Sequence, residues 1–359
     1  MFKNLRRAGA VAAAALSFMG APAPAAEPLK VAFVYVSPVG TAGWSYQHDL
    51  GRRELEQALG PAVKTQVVES VAEGADSERV MRDLAAQGAQ LVFATSFGYL
   101  EPALRVAAEF PGTRFEHAGG YKTAANLNTY NARFYEGRYL AGMLAGHASR
   151  SGVAGYVAGF PVPEVVQGIN AFALGMRAVN PKAQLRVVWL NTWFDPARER
   201  DAALSLVAQG ADVLANHSGS PAVPQAAEEK GVHLLAYQSD MSRFAPHAQL
   251  AAVTHHWGAY YTRVAKSVQA GTWKAQPVWG GLKDGMVQLS ALKADLPAAW
   301  KRSVAERQAD LVAGRFAPFS GPLKDNTGQT RLASGRLDDA QIQRMDWFVE
   351  GVLGSVPAR

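Results

Sequence analysis

The sequence predicts an α/β protein made of two similar, doubly wound lobes with parallel sheets. Three observations carry that prediction. The apolar runs "VAFVYV" (31–36), "LVFAT" (91–95), "VAGYVAG" (153–159), "LRVVWLN" (185–191), "DVLAN" (212–216) and "VHLLAYQ" (232–238) lack apolar–polar alternation. Strands covered on both faces read this way. Helix-period stripes separate these runs: Val80, Met81, Leu84 and Ala85; Ala103, Leu104, Ala107 and Ala108; Ile169, Phe172, Ala173 and Met176; Ala203, Leu206 and Val207. Finally, one segment is written twice. Residues 87–98 read QGAQLVFATSFG and residues 209–220 read QGADVLANHSGS, each after a helix-like run.

The N-terminus carries Lys3, Arg6 and Arg7, then a small apolar run from Ala8 to Met19, then Ala23-Pro24-Ala25. Positive charge, apolar run and A-x-A site in this order predict a secretory signal peptide over residues 1–25. The chain has no cysteine, so no lipobox thiol, disulfide, thiolate ligand or Cys nucleophile is available. We expect a periplasmic protein, without a membrane span of its own.

From residue 31 the pattern is strand "VAFVYV", helix, "TQVVES", helix, "LVFAT", helix, "RFEHAGG". It resets near residue 132: helix, "VAGYVAG", helix, "LRVVWLN", helix, "DVLAN", helix, "VHLLAYQ". Strand–helix–strand alternation at this spacing means right-handed βαβ units. The duplicated segment holds the equivalent place in each half. Its Ser/Gly loop leaves the C-terminal end of a strand, where open α/β sheets bind ligands. We expect lobe 1 over 27–131 plus 257–285, lobe 2 over 132–256 plus 286–320, and an irregular C-terminal strap and tail over 321–359. The alternative is two unrelated parallel-sheet domains that share loop chemistry; the matched order of elements disfavours it.

Signatures of catalysis are missing. "ATSFG" lacks the first glycine of a nucleophile elbow, "GGYKT" lacks phosphate-loop spacing, and neither GxGxxG after a strand nor HExxH occurs. His255-His256, with Asp240 or His217, is the one suggestive metal set, but neighbours on a strand point to opposite faces. We expect no metal, no cofactor and no enzymatic activity. Without Lys3, Arg6 and Arg7 the chain carries 33 Lys and Arg against 30 Asp and Glu. That balance is too mild to indicate nucleic acid.

The aromatic residues are more telling. Trp44, Phe97, Trp193 and Trp257 each lie just past an expected strand end. Four such aromatics in equivalent loops indicate a binding cleft for a planar ligand, because stacking contributes about 1–3 kcal/mol per base-sized ring.

With "GWSYQHDLGRRELE", "ATSFGYLEPALRVAAEFP", "NARFYEGRYLAGMLAG", "GFPVPEVVQGINAFALGMRAVNP", "WFDPARERDAALSLVAQGADVLANHSG" and "VWGGLKDGMVQLS" in this order, the chain resembles the basic membrane protein family. These are ABC-transporter substrate-binding proteins and include the purine nucleoside receptor lipoproteins. The resemblance covers residues 29–320. It implies a type I periplasmic-binding-protein fold: two Rossmann-like lobes, a three-crossover hinge, and one ligand between the lobes. It also implies delivery of that ligand to an ABC permease and its ATPase; from the duplicated lobes we expect a monomer.

The resemblance also implies site residues. The family's early aromatic–Asn pair falls on Trp44-Ser45, with Tyr46 next. Its second loop falls on Ser96-Phe97-Gly98, and its second-lobe aromatic on Trp193. Its late D-x-D falls on Gln238-Ser239-Asp240, leaving Asp240, and its lysine falls near His255, just before Trp257. The acid after the fourth strand falls near Ala118-Gly119 and is absent. Nucleoside binders hold ribose hydroxyls with such acids and the lysine, and an unsatisfied buried diol is costly. The expected ligand is therefore a free purine base, adenine first, with a purine nucleoside as alternative. A binding protein that feeds a sensory receptor instead of a permease also fits the sequence. A LacI-type regulator would need a helix-turn-helix where this chain has its signal-like segment.

Overall fold

The structure is a computed structural model, and it describes residues 27–358. The expected signal peptide lies outside the described residues. In the first half, strand β1 (Leu29–Val34), helix α1 (Trp44–Leu59), β2 (Val63–Val68), α2 (Ala75–Ala86), β3 (Leu91–Ala94), α3 (Leu100–Glu109), β4 (Arg114–Ala118) and β5 (Leu127–Ala132) follow one another. The second half repeats the series, led in by α4 (Phe134–Ala148). It runs β6 (Val153–Ala158), α5 (Pro163–Val179), β7 (Gln184–Trp189), α6 (Pro196–Ala208), β8 (Val213–His217), α7 (Ala222–Lys230), β9 (His233–Gln238) and β10 (Gln249–His255). Then come α8 (Gly258–Gln269), β11 (Val278–Gly280), β12 (Val287–Ser290) and α9 (Ala298–Val312).

Two sheets result, ordered β11-β5-β4-β3-β1-β2 and β12-β10-β9-β8-β6-β7, the second extended beyond β7 by a C-terminal strand. The five core strands match one to one. All neighbours run parallel except β12, which pairs antiparallel with β10. The fold is the two-lobed, Rossmann-like α/β fold the sequence predicts, apart from that edge strand.

The chain passes between the sheets three times: after β5, after β10 and between β11 and β12. The passages lie side by side. Arg133 N donates to Gly280 O at 2.7 Å, and His256 N donates to Met286 O at 3.1 Å.

Local chemistry explains the repeat. In each copy the helix stops at a Gln, and the next residue, Gly88 or Gly210, takes a positive φ (89° and 93°). Glycine enters this region without a Cβ clash. The chain then turns into β3 or β8, each buried along its whole length. β3 pairs with β1 and β4, and β8 with β6 and β9, so the copies hold the same central place. Both faces of each sheet are covered. In β1, Phe33 packs into the core shared with α4 and α5, whereas Ala32 and Val34 pack under α2 and α3. Each such large apolar side chain contributes about 1.5–3 kcal/mol when fully buried.

Helices α4 and α5 pack backbone to backbone. A Cβ on Gly142 would collide with the Phe172 carbonyl, and one on Gly175 with the Tyr139 carbonyl. Beyond α9, the segment expected to be irregular holds a short hairpin, β13 (Leu323–Lys324) and β14 (Thr330–Leu332). One capped helical turn, α10 (Asp339–Gln343), and the strand β15 (Val352–Leu353) follow, with β15 on β7. Asn170 on α5 ties this segment down, donating to Trp347 O at 2.7 Å and accepting from Val349 N at 3.0 Å.

Candidate functional site

The C-terminal ends of the strands of both sheets face one another across a cleft. A tight cavity of about 40 Å³ lies there. Lobe 1 lines it with Val36, Ser37, Trp44, Ser96, Phe97, Ala118 and Gly119. Lobe 2 lines it with Glu164, Trp193, His217, Ser218, Gly219 and Gln238. These residues follow β1, β3 and β4 on one side and β6, β7, β8 and β9 on the other. That volume admits a few waters at most. A two-ring ligand needs several times more, so the lobes must part to admit one.

Hydrogen bonds across the cleft hold this closed form. Gly43 N donates to Ser239 Oγ at 2.9 Å, and Gln47 Nε2 to Gln238 O at 2.8 Å. Glu73, on the loop after β2, accepts through one oxygen from Ser96 Oγ (2.6 Å), Gly98 N (2.9 Å) and Trp193 Nε1 (3.0 Å). Gly43, at φ 97°, touches Gly219 of the other lobe so closely that a Cβ there would strike the Gly219 carbonyl oxygen.

Trp44 opens α1. Its Nε1 donates to Thr95 O at 2.6 Å, which fixes the indole against the end of β3. It meets His48, Phe134, His255 and Trp257 edge-on, at centroid distances of 4.5, 6.1, 5.7 and 6.2 Å. Trp193 is wedged by Phe160 at 4.9 Å. One indole comes from each lobe.

Polar groups gather at the lobe 2 side. Glu164, near the start of α5, accepts from Asn131 Nδ2 at 2.8 Å through Oε2, and its Oε1 lies 3.6 Å from His217 Nε2. Burial pushes the Glu164 carboxyl up to about 7, against the opposing pull of the Asn131 bond and the Arg138 charge. Burial, helped by the Arg138 charge, drives His217 well below its ordinary value, so the ring is neutral. His217 Nδ1 and Gln238 Oε1 are buried with no hydrogen-bond partner among the described residues.

The cavity gathers Trp44, Ser96, Phe97 and Trp193 of the expected site residues. Ser45 is buried beside it, its hydroxyl bonded to that of Ser37 at 2.7 Å, and Gly98 contributes its backbone N–H to Glu73. Four expected residues do not line this cavity. Tyr46 does not line the cavity, because α1 begins at Trp44 and turns the residue two positions on to another face. His255 and Trp257 are each 1% exposed and form a layer beneath Trp44, with Trp257 stacked on His48 at 5.0 Å. Asp240 is exposed and bonds Ser242 N and Gln249 Nε2 instead. Gln238, at φ 69°, lines the cavity, and Asp240 two residues on lies at the surface.

Sequence reasoning missed Glu164, His217 and Gln238 as lining residues. His217 sits in the second copy of the repeat where Thr95 sits in the first, directly before the Ser/Gly loop. Glu164 opens α5 as Trp44 opens α1, after the first strand of its lobe. It lies close to Gly119, where a Cβ would be 3.5 Å from Glu164 Oε2. Among the described residues no group of three or more His, Asp or Glu side chains is arranged to hold a metal ion. No helix of the described residues is long and apolar enough to cross a membrane.

Fold and cleft together define a class: two lobes that close over a small molecule. Comparison with known proteins places the chain within it. Residues 29–311 match the family profile (Bmp) described as ABC transporter substrate-binding protein, PnrA-like. The chain belongs to this family of ABC transporter substrate-binding proteins. It is 46% identical to a purine-binding protein of Brucella abortus, over 97% of this chain and 99% of the relative. It is 37% identical to a Haloferax volcanii protein named as a candidate glucose-binding protein of an ABC transporter, over 92% of this chain and 82% of that one. An ABC transporter solute-binding protein from Aeropyrum pernix superposes with a TM-score of 0.70 at 19% identity, covering 85% of this chain and 95% of its own. One from Conexibacter woesei gives 0.66 at 22% identity, over 80% and 98%. The two structures support the fold only.

Proposed function

We propose that this protein captures a free purine base between its lobes, adenine first, and presents it to an ABC permease. The observation that carries the reading is the pair of indoles: Trp44 from lobe 1 and Trp193 from lobe 2 line the same cavity. Flat rings on both sides suit a flat ligand, and two stacking faces with a few buried hydrogen bonds reach the ~8 kcal/mol of a micromolar complex. The Brucella relative, named for purine binding, supports the same class. The lobe boundaries given above, export by the N-terminal segment to the periplasm, a monomeric state and the absence of catalysis belong to this reading.

A purine nucleoside is the second reading, and one observation favours it. A wide groove of about 1240 Å³ opens beside the cavity and shares Phe97, Gly119 and Glu164 with it, which leaves room for a sugar. Thermal melting with a panel of bases, nucleosides, sugars and amino acids tests the proposal. A ligand that binds only the folded state adds ~2.7 kcal/mol at 100 times its Kd. Purines should raise the melting temperature. A shift with a sugar or an amino acid, and none with any purine, rejects the reading.

A further inference from the structure

Among the described residues, Glu164 is the one carboxyl lining the cavity, and none of their Lys or Arg side chains forms an ion pair with it. Its single ion-pair neighbour among the described residues is the neutral His217, at 3.6 Å. Arg138, on α4, is fully buried nearby, but its Nη2 donates to Asn216 O at 2.6 Å and its guanidinium lies over the Tyr237 ring at 3.3 Å. Tyr156 on β6 and Tyr237 on β9 face the same space, and both hydroxyls are un-ionised because burial raises their pKa. Asn131, on β5, is oriented by its own neighbours: its Oδ1 accepts from Ala132 N at 2.8 Å, so its amide N–H₂ must point at Glu164 Oε2. Oε2 is thus held as an acceptor, and Oε1 is the oxygen left to carry a proton.

We propose that Glu164 binds the edge of the purine as an uncharged carboxylic acid, donating through Oε1 and accepting through Oε2, and that ligand binding is therefore coupled to proton uptake. The proposal rests on the purine-base reading above. Such a group complements an edge with one acceptor and one donor side by side, as the ring nitrogen and amino group of adenine provide. An ionised carboxylate complements two adjacent donors instead, the edge that guanine offers, and repels the lone pair of an unprotonated ring nitrogen. Desolvation supports the neutral form: stripping water from a carboxylate without a paired cation raises its pKa. The positive end of α5 and the more distant Arg138 oppose it. Burial is the largest influence on the group, and it raises the Glu164 carboxyl to about 7. The buried, partnerless His217 Nδ1 and Gln238 Oε1 mark the same wall as one that awaits polar partners.

The test is titration calorimetry with adenine from pH 6 to 8.5, in two buffers of different ionisation enthalpy, on the wild type and Glu164→Gln. The amide of glutamine mimics the neutral acid but cannot titrate. The wild type should take up roughly one proton per adenine near pH 7.5, and its affinity should fall toward tenfold per pH unit above neutrality. Glu164→Gln should bind adenine within roughly threefold of the wild type at pH 6, with no proton uptake and no pH dependence. Guanine affinity, read by tryptophan fluorescence, should not fall with pH in the wild type. PH-independent adenine binding by the wild type with no proton exchange overturns the proposal, and the wild-type measurement alone decides this if the variant folds poorly. So does a loss of more than about tenfold in Glu164→Gln at pH 6 with its melting temperature unchanged. If neither protein binds any purine at any pH, the purine reading itself has failed, a result that the other two do not resemble.

Discussion

Trp44 carries two duties that its position makes inseparable. It lines the cavity, and it also packs edge-on against His48, Phe134, His255 and Trp257. Trp44→Ala should therefore weaken adenine binding by about 1–3 kcal/mol, roughly 5- to 150-fold in Kd. It should also lower the ligand-free melting temperature, because that ring layer loses its lid. Trp44→Phe keeps a flat ring but loses the bond to Thr95 O, and should recover most of the affinity. Tryptophan fluorescence and calorimetry on both variants read the two effects separately. Normal affinity in Trp44→Ala, with only the melting temperature reduced, would make Trp44 a packing residue alone.

At the scale of elements, the structure turns on loops that follow strands. The repeat QGAQLVFATSFG and QGADVLANHSGS was legible because helix stop, glycine turn and buried strand each leave a local mark. Its consequence, two Ser/Gly loops facing one another, follows from strand order and holds. Glu164 was not legible as a cavity-lining group, since Pro163-Glu164 reads equally well as an ordinary helix start. Only alignment of β6 with β1 in space makes it the counterpart of Trp44. Asp240 lies at the surface and not in the cavity, and counting along the chain cannot see the positive φ at Gln238 two residues before it. Trp257 follows a strand as Trp44 does and His255 ends that strand, yet both are buried against Trp44, where α8 packs on α1. The Gly43–Gly219 contact is the element-scale test of closure. Gly43→Ala puts a methyl group against the Gly219 carbonyl, at a φ that suits glycine alone. Affinity should fall at least about tenfold, and the compaction that ligand induces in the wild type, seen by small-angle scattering, should be reduced. Full compaction and wild-type affinity in Gly43→Ala would mean that the lobes do not meet there when ligand is bound.

For the whole molecule, buried titratable groups set opposing pH terms. Burial lowers His48 and His117 to about 3 and drives His217 and His255 well down. Their stabilising contribution is complete above the ordinary histidine range, near 6.5, and is lost as pH falls below it, because the unfolded chain binds protons that the folded one refuses. Burial raises Glu116 and Glu164 to about 7, and their contribution runs the other way: complete below about 4.5 and lost as pH rises toward 7. Smaller shifts, upward at Glu136 and Glu199 and downward at His147, His233 and His256, add to each side. The deep histidines outnumber the two strongly raised acids, so the melting temperature should fall between pH 7 and 5. Glu116→Gln retains a neutral polar group among Tyr260, Trp273 and Asn128 but removes one opposing term. The acid-side fall should steepen in that variant; a melting temperature that rises on acidification of the wild type contradicts the assignment of those histidines as buried and neutral.

Titration calorimetry of ligand-stripped protein with adenine, adenosine and glucose reads whether the two lobes close on a purine base. Adenine should bind with a Kd near or below about 1 μM, which corresponds to roughly 8 kcal/mol. Adenosine should bind at least about tenfold more weakly, a difference of ~1.4 kcal/mol, and glucose should give no saturable heat. Saturation by glucose without adenine binding, or adenosine binding tenfold tighter than adenine, a gain of ~1.4 kcal/mol, would contradict the account.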